Sequence, residues 1–291
     1  MLKTRRGGEV WLITQPAHAD LAGVMAAHWG NKEFARPGYC SPTAEPERLR
    51  QEVVLAVMEH DNGWWEWEAD PTLADDDGLP QGLSEVLKDP VAGMQRWRLG
   101  IPRLAERHPY ASLLIADHAY WLYAAQFVEA PPEFTHQLQR KRRTYPKEVE
   151  MTALRFVGEV EDLKGTLQRH AAEDALWQAA LEPNLRNPNA RLLQTLDASS
   201  LALCSNVIAP VHGEARGLGE DNIVFEEVPR RNWHDRVSIE FMPQGSGLIE
   251  VEPYPFDEAP LMVSVAARVV RPYSWWRQAP MILRQFTFVR K

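Results

Sequence analysis

Four apolar helical stretches of this chain are each interrupted, on the face that should turn inward, by a histidine or an aspartate. Positions three and four apart on a helix stack on one side, so each face can be read from spacing alone. His18 shares a row with Ala22 and Met25, and Val53 and Val57 lead down to Asp61 with His60 beside it. Leu114, His118 and Leu122 form a third row, and Leu193, Asp197, Leu201 and Cys204 a fourth. A carboxylate buried in its ionised form is costly unless it is paired or coordinated. A chain that buries all these positions must bring them to each other or to a shared positive centre, which narrows the folds open to it.

Taken singly, each position has a plain explanation, because an inward histidine is usually a hydrogen-bonded core residue and a helical aspartate can be met by an arginine. Taken together, a cation shared by several helices is the economical one. Imidazole nitrogen and carboxylate oxygen suit Zn, Fe, Mn or Ni. His18, His60, Asp61 and Asp197 are therefore expected to hold one divalent transition-metal ion, or two if Asp61 bridges and His118 helps. His60 and Asp61 are adjacent in sequence and can converge only at a helix end, where the chain is free to splay them.

Thiolate chemistry is disfavoured, since the only cysteines, Cys40 and Cys204, lie far apart and without a C-x-x-C spacing; both read as free thiols in a reducing compartment. With 291 residues, 45% of them hydrophobic, the chain can bury a large core. Its formal net charge of −8 argues against extended nucleic-acid binding or a grip on an anionic membrane. The apolar run in MLKTRRGGEVWLITQ is too short for a signal peptide, and no stretch approaches the roughly 18 apolar residues of a membrane span, so the expected location is cytoplasmic.

Val10 to Thr14 reads as an entering strand and Pro16 opens a helix that Gly30 stops. Glu47 to His60 reads as a second helix, Asp61 to Asp89 as loop, Val91 to Arg107 and Tyr110 to Ala125 as helices, and Asn187 to Val207 as another. Between them, a polar helical stretch follows Pro131 and Pro132, broken near Pro146 and running to about Leu181. Residues 222–291 alternate with period two between Gly and Pro turn signals and read as strands. The expected fold class is thus mainly α, a helical bundle over 1–210 with a smaller antiparallel β-rich segment over 211–291, packed together as one unit.

The order His18, His60-Asp61, Asp197, each on its own helix, resembles the HD superfamily of metal-dependent phosphohydrolases, and His118 lies where some members supply further histidines. Over nearly the whole chain, ITQPAHADLAG, AVMEHDNGWWEWE, LLIADHAYWLY, LLQTLDASSLALC and VEPYPFDEAPL look like an uncharacterised bacterial family with an HD-like helical core. The resemblance implies fold more than activity. Hydrolytic members often carry His-Asp-x-Gly-Lys, whereas this chain has His60-Asp61-Asn62-Gly63-Trp64. The glycine is kept for a tight turn, but a cation for phosphate must come from elsewhere, and Arg140, Lys141, Arg142 and Arg143 form the dense candidate.

The expected function is hydrolysis of a small phosphorylated molecule or nucleotide by an ion that lowers the pKa of a bound water. Asp61 and His118 are the expected catalytic groups, and Glu59, Glu66 and Glu68 are candidate general bases. Trp64 and Trp65, with His118, are expected to wall the substrate pocket. The alternative is a non-catalytic scaffold that binds a metal or small ligand. Trp275 and Trp276 read as core or interface, which leaves a homo-oligomer open. His28, His108, His136, His170, His212 and His234 are assigned no role.

Overall fold

Residues 1–39, 45–125, 131–139 and 145–291 are described by a computed structural model, without the side chains of Pro132 and Gln139. Strands β1 (Leu2–Arg6) and β2 (Glu9–Ile13) form a hairpin through Gly7 and Gly8, both at positive φ, and lead into α1 (Gln15–Ala27). Thr14 Oγ1 caps that helix by accepting from Ala17 N–H at 3.2 Å, and Pro16 supplies a pre-set φ in its first turn. Proline likewise opens α2 (Pro46–Met58), α5 (Pro90–Gly100), α6 (Pro109–Ala124) and α9 (Pro183–Cys204). The remaining helices are α3 (Trp65–Ala69), α4 (Leu83–Val86), α7 (Lys147–Ala171) and α8 (Ala175–Ala180).

The last part of the chain gives β3 (Ile223–Asn232), β4 (Asp235–Gly245), β5 (Leu248–Glu252), β6 (Leu261–Val270) and β7 (Met281–Arg290). All seven strands join one sheet in the order β1-β2-β6-β7-β5-β4-β3, curved into a half-barrel. Neighbours are antiparallel except β5 and β7, which run parallel. Helices α1 and α9 lie against the sheet through β6 and β3, and α6 packs on α2, α7 and α9.

The expected mainly α, HD-like bundle with a small antiparallel C-terminal segment is therefore corrected. The protein is about 47% helical, its sheet is mixed, and it takes strands from both ends of the chain. Val10 to Thr14 does form a strand, with Val10 opposite Val270 of β6. Its partner β1 was hidden because LKTRR reads as a charged terminus. Leu2 and Thr4 are buried, while Lys3 and Arg5 reach Asp77 Oδ2 at 2.9 and 2.7 Å, so the acidic run Asp75 to Asp77 absorbs the charge. The parallel pairing joins segments distant in sequence and leaves no local trace.

Several helix boundaries also differ from expectation: α3 and α4 fall inside the expected loop Asp61 to Asp89, and the helix expected over Val91 to Arg107 ends at Gly100, followed by a 3-10 turn. Past Pro131 the described residues make short 3-10 turns, at Pro132–Phe134 and Gln137–Gln139, and α7 begins at Lys147. Helix α9 starts earlier than Asn187 and carries Pro188 near its beginning, where few intrahelical N–H bonds are lost. From Pro188 to Cys204 every residue of α9 is buried, as is most of α6. Cys204 is a buried free thiol whose pKa burial pushes up; Cys40 lies outside the described residues. Trp275 is exposed, while Trp276 packs on a small cluster of Met1, Val10, Leu12, Leu79 and Val270. No helix among the described residues is long and apolar enough to cross a membrane.

Candidate metal centre

Helix α2 ends at Met58, so His60 and Asp61 sit in the turn beyond it. This turn is pinned by two close approaches. A Cβ on Gly23 of α1 would lie 2.7 Å from Met58 Cβ, so only glycine lets α1 come this near the end of α2. A Cβ on Gly63 would lie 2.0 Å from the Arg96 carbonyl oxygen, so the turn packs directly on the backbone of α5. The glycine after the His-Asp doublet is thus required by a helix crossing, and Gly63 has no positive φ.

The outcome is that side chains from α1, the α2 turn, α6 and α9 meet. His18 Nε2 lies 2.9 Å from Asp61 Oδ2, and His60 Nε2 lies 3.8 Å from the same oxygen and 3.3 Å from Asp197 Oδ1. His118 Nε2 is 3.2 Å from Asp197 Oδ2. Two trios, His18/His60/Asp61 and His60/His118/Asp197, each offer ligand atoms within 4.8 Å of one another, and all five residues are buried. A fourth imidazole, His136, brings its Nε2 to 3.2 Å from Asp197 Oδ2.

Among the described residues Asp197 has no lysine or arginine partner, although other polar groups on α9 are met by hydrogen bonds. Asn189 accepts from Gly38 N–H, and Ser199 donates to Thr195 O. Arg191 donates to the carbonyls of Thr135, Glu226 and Glu227. Asp197 instead faces ring nitrogens. Those of His60, His118 and His136 have no aligned hydrogen bond despite standing 3.2–3.3 Å from its oxygens. Donor atoms bonded to one ion at about 2.1 Å stand roughly 3.0–3.4 Å apart, which is the spacing seen here.

The outer ring nitrogens decide which rings can ligate. His60 Nδ1–H donates to Val57 O at 2.7 Å, so Nε2 is the inward nitrogen, whose proton an ion would displace to take up the lone pair. Ser200 Oγ donates to the Asp197 backbone carbonyl and so accepts from His18 Nδ1–H at 2.9 Å. His18 Nε2 faces the Asp61 carboxylate at 2.9 Å, a contact met either by a proton on Nε2 or by a cation that both atoms bind. His136 differs: its Nδ1 accepts from Leu138 N–H at 3.1 Å, so Nε2 carries the proton. Its N–H stands 3.2 Å from Asp197 Oδ2, whereas the outer bonds of His18 and His60 leave Nε2 as the ligating nitrogen.

Burial opposes charge on every group here, and the clustering overrides it for most. At His60 the burial penalty is outweighed by the Asp61 and Asp197 carboxylates and the Val57 carbonyl, which raise its pKa to about 9. Burial prevails at His118, lowering its pKa against the pull of Asp197. Asp61 is held below the usual carboxylate range, because His60 and His18 overcome burial. Asp197 is held well below it, against burial, by His60, His118 and His136. Both acids remain anionic and draw positive charge to the same point.

A cavity opens beside this cluster, enclosing about 870 Å³ of atom-free space with its open mouth included. Asp61, His118 and Asp197 reach its wall, along with Trp64, Arg96, Trp97, Leu122 and Tyr123. Of the expected pocket tryptophans, Trp64 lines the cavity but Trp65 does not. Trp65 is half exposed with the Arg103 guanidinium 4.8 Å from its ring centre, because successive residues in a helical turn point in diverging directions. Among the candidate bases, Glu66 pairs with Arg103, Glu68 accepts from Gln15 N–H at 2.9 Å, and none of Glu59, Glu66 and Glu68 lines the cavity. Arg140, Lys141, Arg142 and Arg143 lie outside the described residues.

His136 is the residue that sequence reasoning missed. It sits in no apolar helical stripe, and its segment is held inward by Arg191 and Gln194, which donate to Thr135 O and Phe134 O. The signal that was available is indirect: Arg191 and Gln194 are themselves polar residues on the buried face of α9, and they needed acceptors.

Fold and site together define an α/β protein with a buried His/Asp cluster at the floor of an open cavity. Residues 1–272 match the model of a family described as a protein of unknown function (DUF3891), and the chain belongs to that family. No curated protein and no solved structure matches it.

Proposed function

We propose that this protein is a metal-dependent phosphohydrolase of the HD type, with His18, His60, Asp61 and Asp197 holding a divalent Fe, Mn, Zn or Ni ion and His118 completing the site or serving the reaction. The reading is carried by one observation. Ring nitrogens stand at ligand-to-ligand distances from Asp197 without hydrogen-bond alignment, while the outer nitrogens of His18 and His60 are fixed as donors. Protein groups arranged to bond each other would be aligned; groups arranged around a third centre need not be. The order His, His-Asp, Asp along the chain supports the HD comparison.

A bound ion of this kind supplies Lewis acidity and a nucleophilic water near neutral pH. The chain's own groups then do the rest. Asp61 and His118, at the cavity wall, accept the proton of the attacking water and return it to the leaving alcohol. Water adds to phosphorus, the ester P–O bond breaks, and phosphate and an alcohol are released. Trp64 and Trp97 offer aromatic surface to the substrate.

The test is elemental analysis of protein purified without a histidine tag, followed by phosphate release from a panel of phosphomonoesters and nucleotides. Stoichiometric metal with turnover is expected, and both should disappear in His60→Ala and Asp197→Ala. Stoichiometric metal without turnover on any panel member would make the protein a binding scaffold. Absence of metal after loading with each of the four ions would overturn the reading.

A further inference from the structure

We propose that Arg96 is the anion-binding residue of the cavity, and that the pocket takes a small phosphate ester with an apolar or aromatic alcohol part. This rests on the hydrolase reading for its chemistry, but the binding site itself is argued from Arg96 and the walls around it.

Arg96 lines the same cavity as Asp61, His118 and Asp197. Its Nη1 is buried with no hydrogen-bond partner, and among the described residues no carboxylate stands within ion-pair distance of it. A guanidinium half-withdrawn from water without an anion is costly, and a ligand anion is the natural partner. The group is also pre-oriented. Its centre lies 4.1 Å from the Trp64 ring centre and 5.2 Å from that of Trp67, so the two indoles hold the guanidinium in place at the cavity wall. A guanidinium carries paired N–H donors at a spacing suited to two phosphate oxygens.

Position is fixed by the backbone as well. The Arg96 carbonyl is the atom that Gly63 approaches, two residues after Asp61, so α5 cannot slide relative to the candidate metal centre without opening that contact.

Wall chemistry sets the ligand. Among the described residues that line the cavity, Arg96 is the sole lysine or arginine, so it is the side chain there to which an anionic group is drawn. Trp64, Trp97, Leu122 and Leu201 make the rest of the surface apolar, which favours a flat or greasy alcohol over a polyhydroxylated one.

Calorimetric titration of inorganic phosphate and of phenyl phosphate into the protein, as purified and after metal loading, tests this. Phenyl phosphate is expected to bind at least tenfold more tightly than inorganic phosphate. Arg96→Met, which keeps the stem over Trp64, should weaken both by tenfold or more with metal content unchanged, and Arg96→Lys should recover part of the loss. As a check that needs no variant, phosphate should protect Arg96 from modification by phenylglyoxal, read by mass spectrometry. Binding within twofold of wild type in Arg96→Met, no protection, or no phosphate binding in any form would overturn the proposal; equal affinity for the two ligands would overturn its apolar part. Binding lost with Arg96 but no metal and no turnover would leave the anion site standing while the hydrolase reading falls.

Discussion

At the scale of single residues, the cluster divides into lone-pair donors and the hydrogen-bonding groups that aim them. His136 belongs to the second kind, since Leu138 N–H fixes its proton on the nitrogen facing Asp197. His136→Ala is therefore expected to weaken metal binding by about 10–100-fold without abolishing it, whereas removal of a ligand should empty the site. Competition against a chelating dye measures the difference, and metal affinity unchanged in His136→Ala would contradict the role. Ser200→Ala removes the acceptor that orients His18 and should have an effect in the same range. These assignments were partly legible beforehand. His18, His60, Asp61, His118 and Asp197 were visible because a polar residue inside an apolar stripe is a local anomaly, whereas His136 sits on an irregular segment where no stripe exists to be interrupted.

At the scale of elements, the geometry of the cluster depends on two close glycine approaches that set helix separations. Gly63→Ala would place a methyl 2.0 Å from the Arg96 carbonyl oxygen, and backbone on both sides cannot yield cheaply. The expected cost is about 1–3 kcal/mol, with α5 displaced and Arg96 and Trp97 moved from the cavity. Thermal melting gives the first quantity, and loss of phenyl phosphate binding with metal retained gives the second. A Gly63→Ala protein with wild-type melting and ligand binding would show that the crossing is looser than described. Gly23→Ala meets Met58 Cβ at 2.7 Å and should separate α1 from the end of α2, so that metal affinity falls before ligand affinity does. From sequence, Gly63 was recognisable as a turn glycine, but its actual constraint is a neighbour distant in the chain. Arg96 was invisible for the same reason: on a helix read alone it is one more charge on a solvated face.

For the whole molecule, the centre joins elements that are distant in sequence, so occupancy should couple to global stability. A ligand that binds only the folded state at 100 times its Kd adds about 2.7 kcal/mol. Loading with the preferred ion is thus expected to raise the melting midpoint by several degrees, and a chelator to reverse it. Far-ultraviolet circular dichroism should change little, because the core that joins α1, α6, α9 and the sheet is apolar and does not depend on the ion. Unfolding on chelation would show instead that the cluster is required for the fold.

The sequence by itself determined the longer helices, the entering strand β2, the strand-rich end and the positions at which buried charge would need an answer. These follow from periodicity, proline and glycine signals, and the cost of burying ions, all of which act locally. Only the tertiary structure decided that β1 completes the sheet, that β5 and β7 run parallel, that His136 faces Asp197 and that Arg96 looks into the cavity. Each of these is a meeting of segments far apart in the chain. The free energy that selects such a meeting comes from the packed whole, and no window of sequence contains it.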